Sequence, residues 1–169
     1  MATIQTITDD LGKPLDIINI DSSIGTNGVN YFGDIQAVKA LFQFVPRYSY
    51  TKASGSGRSL VETGMGKEAS WHLSRNLLPS PYDGTIWGVA ELTRSFQKYA
   101  NSKLSAYGYK VNVNGTIKPA KGYAVVGKNF STIAALNIFA ALGVNGNKST
   151  VETIINNYQD IFRNISDDR

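Results

Sequence analysis

Ser23-Ile24-Gly25-Thr26-Asn27-Gly28-Val29-Asn30, followed after three residues by Asp34-Ile35-Gln36-Ala37-Val38-Lys39-Ala40-Leu41-Phe42, is the stretch on which the reading of the fold turns. Its first half is too polar and too rich in turn formers for the interior of a regular element. Its second half changes period. Ile35, Val38, Leu41, Phe42 and Val45 recur at i, i+3, i+6, i+7 and i+10, which predicts a helix with one apolar face. Asp34 is placed to cap that helix at the positive end of its dipole, and Pro46 ends it. The glycines let the chain bend ahead of the helix where a side chain would obstruct it.

Upstream, the first 21 residues alternate short apolar and polar groups, with a strand expected at Asp16-Ile17-Ile18-Asn19-Ile20. Downstream, residues 46–80 read as an insertion: a flexible loop over Ala53–Ser59, then a helix from about Lys67 to Leu78 whose Trp71, Leu77 and Leu78 reach a core, closed by Pro79 and Pro81. Tyr82-Asp83-Gly84-Thr85-Ile86-Trp87-Gly88 is a tight turn leading into a second helix. Val89, Leu92, Phe96 and Tyr99 form its apolar face, and it continues to about Asn101. Tyr107 to Val113 alternates like a strand, and Asn114-Gly115 signals a hairpin turn. A third helix is expected from Ser131, burying Ile133, Leu136, Phe139 and Ala140 and stopped by Gly143. The last helix opens on a capping box, Ser149-Thr150-Val151-Glu152, and carries an apolar stripe from Val151 to Ile165 broad enough to need a partner surface.

The 169 residues are 42% apolar and 11% aromatic, enough for one core without help from a disulfide or metal. Charged residues are only 18%, so the surface is polar but weakly charged, unlike that of a disordered chain. With no Cys and His72 as the sole histidine, thiolate chemistry, cysteine-ligated zinc and two-histidine metal sites are excluded. No run of apolar residues approaches the roughly 18 needed to span a membrane. The start, with Asp9 and Asp10 and no basic-then-apolar pattern, is not that of a Sec-type signal peptide. The expectation is a chain that is cytoplasmic as made and either stays there or reaches the cell envelope by a signal-independent route. Residues 1–34 carry five acids and one base, residues 35–148 fourteen bases and four acids, and residues 149–169 two bases and four acids. A basic middle attracts polyanions: nucleic acid, anionic lipid or acidic wall polymer.

No motif for catalysis stands out. There is no GxSxG, and a serine with His72 lacks an identifiable orienting acid. Asp83 is accounted for by its Asp-Gly turn. Gly55-Ser56-Gly57-Arg58-Ser59 lacks the Gly-Lys-Ser/Thr ending of a phosphate loop. Neither a catalytic residue, a metal site nor a cofactor is expected. What remains is an aromatic-rich basic surface with nine Tyr and two Trp, residues whose flat apolar bodies and polar tips suit sugar rings or bases. The candidates are Tyr31, Tyr48, Tyr50, Tyr82, Trp87, Tyr107, Tyr109 and Tyr123.

The opening motif resembles that of peptidoglycan-binding-like domains, S-V-G-x-G-G-x-N followed by D-V-x-x-V-Q-x-L-L. Ser23, Gly25, Gly28, Asn30, Asp34, Val38 and Leu41 match in register; Asn27 stands where a second Gly is usual and Lys39 where Gln is usual. Asp83-Gly84, Gly88 and Phe96-Gln97 supply the landmarks of the family's second motif, on a shorter helix and without its Pro and Thr. Asn114-Gly115-Thr116-Ile117-Lys118-Pro119 is similar to a closing D-G-x-V-x-P. The resemblance covers about 23–45 and 82–122 and is to the Gly-rich variety found among phage products and secretion-system cargo.

It implies a mainly α fold: a small three-helix peptidoglycan-binding-like bundle over 23–145 with an insertion at about 46–81 and a short β-hairpin. Residues 1–22 would be an extension with a short strand, and 146–169 an added helix packed on the bundle. It also implies a non-catalytic module that binds peptidoglycan or a muropeptide in a groove beside the first two helices. Tyr31, Tyr82, Asp83, Trp87 and Arg94 are the expected ligand-binding residues, the aromatics stacking on sugar faces and Arg94 pairing with a muropeptide carboxylate. One rival is an adaptor that docks a protein through the 46–80 insertion or the C-terminal helix. A second is a wall hydrolase using Glu62 and Glu68. A third, nucleic-acid binding, lacks any reader motif.

Overall fold

The computed structural model describes residues 2–42, 45, 48–52, 58–62 and 89–145. It opens on an antiparallel hairpin of β1 (Thr3–Thr8) and β2 (Pro14–Asn19), in register from Thr3 opposite Asn19 to Thr8 opposite Pro14. The Asp9 carboxylate makes the reversal by accepting the N–H groups of Leu11 and Lys13 at 2.9 and 2.7 Å. β3 (Ile24–Gly25) and α1 (Phe32–Phe42) follow, then a hairpin of β4 (Tyr48–Lys52) and β5 (Arg58–Glu62) inside the expected insertion. The second half holds α2 (Val89–Leu104), a 3-10 turn (Ser105–Tyr107), β6 (Thr116–Ile117), β7 (Val125–Val126), β8 (Asn129–Phe130) and α3 (Thr132–Asn145).

Three α-helices and eight strands in four two-stranded sheets make the described residues a mixed α/β structure. The expected mainly α three-helix bundle is therefore corrected. The strands that overturn it are short or polar, and β3 and β6 have two residues each, too few to show a period of two. They exist because distant backbone supplies their partners: Ile24 pairs with Ile117 and Gly25 with Thr116.

The three central helices occupy the expected places with different ends and surroundings. α1 starts at Phe32, so Asp34 lies inside the first turn, and its carboxylate reaches back to accept the N–H groups of Asp21 and Ser22 at 3.2 and 3.0 Å. Every residue from Asp34 to Phe42 is buried, Lys39 included, so α1 is a central helix enclosed on all sides. α2 buries Val89, Leu92, Phe96 and Ala100 completely and runs three residues past Asn101. The strand expected over 107–113 is absent. The 3-10 turn ends at Gly108 (φ 84°), and Lys110 makes only an isolated bridge to Asn129. The Asn114-Gly115 turn does not close a hairpin with that segment; it feeds β6 into its pairing with β3. α3 continues through Gly143 to Asn145. The helix expected over 67–78, the Asp83-Gly84 turn and the 149–165 helix lie outside the described residues.

One cluster of buried side chains joins these elements. Ile7, Ile17, Ile18 and Ile20 from the first hairpin lie in it with Val38 and Leu41 of α1, Leu92 and Phe96 of α2, and Ile133 and Leu136 of α3. Phe96 is at its centre, edge-on to Phe42 at 5.9 Å and to Phe139 at 6.0 Å, a geometry aromatic rings favour. Asn137, also buried, behaves like a missing strand: its amide accepts from the Ile18 N–H at 2.8 Å and donates to the Ile18 carbonyl at 3.0 Å. It satisfies the outer edge of β2 where an unpaired backbone would be costly.

Candidate functional site

The glycine-containing loop between β2 and α1 is held by its last residue. Asn30 (φ 61°) accepts the Gly25 N–H at 2.8 Å and donates to the Gly28 carbonyl at 2.8 Å, while its own N–H bonds Ser23. A side chain is barred at two positions. A Cβ on Gly25 would lie 2.1 Å from the Gly115 carbonyl oxygen, and one on Gly28 2.8 Å from that of Ser23. The loop can thus press against the 114–117 segment: Thr26 N–H bonds the Gly115 carbonyl at 3.0 Å and the Thr116 hydroxyl bonds the Thr26 carbonyl at 2.6 Å.

Gln97, fully buried on α2, organises the other side of that segment. Its carbonyl oxygen accepts from the N–H groups of Asn114 and Gly115, both at 2.9 Å. Its amide nitrogen donates to Asn114 Oδ1, the Thr116 carbonyl and Thr132 Oγ1. Farther along, buried Asn19 clamps Ala120, donating to its carbonyl at 2.8 Å and accepting its N–H at 3.0 Å. The 123–131 segment is fixed in turn, with Ala124 N–H bonded to Thr8, Ser131 N–H to Ala124 and Phe130 N–H to Lys110.

Between these supports opens a cleft of about 650 Å³. Asp21, Ser22, Ser23 and Val29 form one side, Asn112, Asn114, Thr116 and the 118–121 segment another, and Tyr123, Val126 and residues 129–132 close it. Most of its polar groups are neutral hydroxyls and amides. Among the described residues, Lys118 and Lys121 bring two cations and Asp21 one carboxylate. Tyr123 is 58% exposed and Val126 71%, so an aromatic and an aliphatic surface face solvent at its mouth.

The expected groove residues are distributed otherwise. Tyr31 stands 54% exposed at the start of α1, where its carbonyl accepts the Ile35 N–H, and it does not line the cleft. Arg94 is engaged within the fold: its guanidinium donates to Thr26 Oγ1 at 3.0 Å and lies beside Gly115. Tyr31 and Arg94 are thus not brought together in the cleft, while Tyr82, Asp83 and Trp87 lie outside the described residues. Of the wider aromatic set, Tyr123 reaches the cleft, Tyr107 is exposed elsewhere, and Tyr109 packs edge-on against Phe130 at 5.7 Å. The Tyr109 hydroxyl is pushed above its usual value first by burial, then by the charge and hydrogen bond of Asp10 and the charge of Asp9.

Sequence reasoning did not assign Lys118, Lys121, Asn112 or Asn129 to a ligand site. The Asn114–Pro119 segment was a visible motif, but its lining role depends on contacts with residues about ninety positions away. Among the described residues no group of three or more His, Asp or Glu is placed to hold a metal, and no helix is long and apolar enough to cross a membrane. Comparison with known proteins gives no matching family model, no similar curated protein and no similar solved structure.

Proposed function

We propose that this protein is a non-catalytic binding module for a cell-wall glycan, peptidoglycan or a muropeptide, and that it holds the glycan in the cleft rather than in a groove between helices. The observation that carries the reading is the lining itself: neutral amides and hydroxyls of Asn112, Asn114, Ser23 and Thr116 beside exposed Tyr123. Sugars present apolar ring faces edged with hydroxyls, and this mixture matches both features. Full-length protein mixed with purified sacculi is expected to co-sediment, and Tyr123→Ala to shift most of it to the supernatant with no change in melting temperature. Recovery of the wild type in the supernatant at low salt overturns the reading.

A second reading, an adaptor that binds a protein partner, is favoured by one observation. Val29 on the loop bordering the cleft, and Tyr31 and Phe32 where that loop runs into α1, are each more than half exposed. It expects a stable complex lost in Tyr31→Ser/Phe32→Ser and no sedimentation with sacculi.

A further inference from the structure

The cleft is not electrically even. Lys118 and Lys121 sit on the 118–121 segment, both exposed, and no hydrogen bond or ion pair engages either side chain among the described residues. Their spacing is set by the fold rather than by a mobile loop. Pro119 has its φ fixed by its ring, and Ala120 is gripped at both its N–H and its carbonyl by Asn19, itself 2% exposed. The two lysine backbones are therefore held on either side of a clamp, at most ~11 Å apart. The wider surroundings reinforce the sign: residues 92–141 hold seven bases and no acid. The one carboxylate of the lining among the described residues, Asp21, belongs to the 21–23 side.

We propose that the ligand of the cleft is an acidic glycan, a wall strand whose lactyl carboxylates are free of stem peptide, and that Lys118 and Lys121 select it by pairing with those carboxylates. This rests on the glycan reading above and adds to it a specificity that neutral lining groups do not supply. Hydroxyls and amides near Asn112 and Thr116 hold the sugar, and the two ammonium groups distinguish a carboxylated chain from a neutral one of the same length. A ligand lying across both sides turns its acidic groups toward 118–121 and away from Asp21.

The test is titration calorimetry on the full chain with two probes. One is a short oligomer of N-acetylglucosamine; the other is an oligomer of equal length in which alternate sugars carry a lactyl carboxylate. The acidic oligomer is expected to bind about tenfold more tightly at low salt, the scale of one charge-assisted contact, with the preference shrinking as salt rises. Lys118→Gln/Lys121→Gln should equalise the two probes. Lys98→Gln/Lys103→Gln, which removes two exposed cations from α2 outside the cleft, should leave the preference intact. Equal binding of the two oligomers by the wild type overturns the charge selection and leaves the glycan reading standing. An equal loss of preference in the α2 variant overturns it too, because attraction would then be a property of the whole surface. Binding of neither oligomer defeats the glycan reading and this inference together.

Discussion

Gly25 and Gly12 have similar left-handed backbones, φ 97° and 80°, but only Gly25 has no room for a Cβ; at Gly12 nothing lies within 4 Å. Gly12→Ala is expected to lose about 1 kcal/mol from the backbone conformation alone. Gly25→Ala meets both that penalty and the Gly115 carbonyl, so about 3 kcal/mol or more is expected. Urea unfolding of the two variants measures the difference, and equal losses would mean the loop does not press on β6. Gln97 is a second single-residue test. Gln97→Met keeps the volume but strips partners from two backbone N–H groups and the Thr116 carbonyl, an expected loss of about 2–4 kcal/mol by the same measurement. The Ser23–Asn30 motif was legible because glycine and asparagine at fixed spacing announce a turn. Gln97 was visible only as the end of a Phe-Gln pair, and its hydrogen bonds were not.

At the scale of elements, the helices and the strand expected over 16–20, found as β2, were read from the sequence, and the pairing of the small sheets was not. α2 shows the agreement: Val89, Leu92 and Phe96 recur on one face and all are buried. Phe96→Ala should destabilise by about 3–5 kcal/mol, since it removes the ring that meets both Phe42 and Phe139. α3 carries a subtler device. Asn137→Leu is apolar and helix-favouring, yet it orphans the N–H and carbonyl of Ile18, so a loss of about 2–3 kcal/mol is expected rather than a gain. Amide exchange at Ile18 should quicken in that variant before exchange in α2 does. Gly143 illustrates a failed stop signal: glycine weakens a helix but does not end it without the left-handed turn that makes a cap.

Across the whole molecule, an acidic N-terminal segment and a basic second half meet in one core. Asp9 and Asp10 from the first turn face Tyr109 of the second half. Tyr99 is raised above 10.0 by burial, and Tyr109 by burial and then by these carboxylates. A phenol with a raised folded value binds its proton more tightly when folded, so the native state carries more protons than the unfolded one between the two values. Stability from these groups is therefore intact below pH 10.0 and lost as pH rises through the folded values. The urea midpoint should fall on that alkaline side. Asp10→Asn should bring the Tyr109 titration down part of the way, burial being the larger cause, as absorbance of ionised tyrosine would report.

The chain's own order of residues determined where α1, α2 and α3 form, where the chain turns at Gly25 and Gly28, and that its middle is basic. These are local properties, written in spacings of three or four residues and in charge counts. Tertiary structure alone decided that two-residue strands pair, that α1 is enclosed on every side, and that Lys118, Lys121 and Tyr123 share a cleft while Arg94 does not. Those outcomes depend on amides such as Asn19 and Asn137, whose partners lie 101 and 119 positions away, and a polar side chain carries no mark in the sequence of the distant backbone it will satisfy.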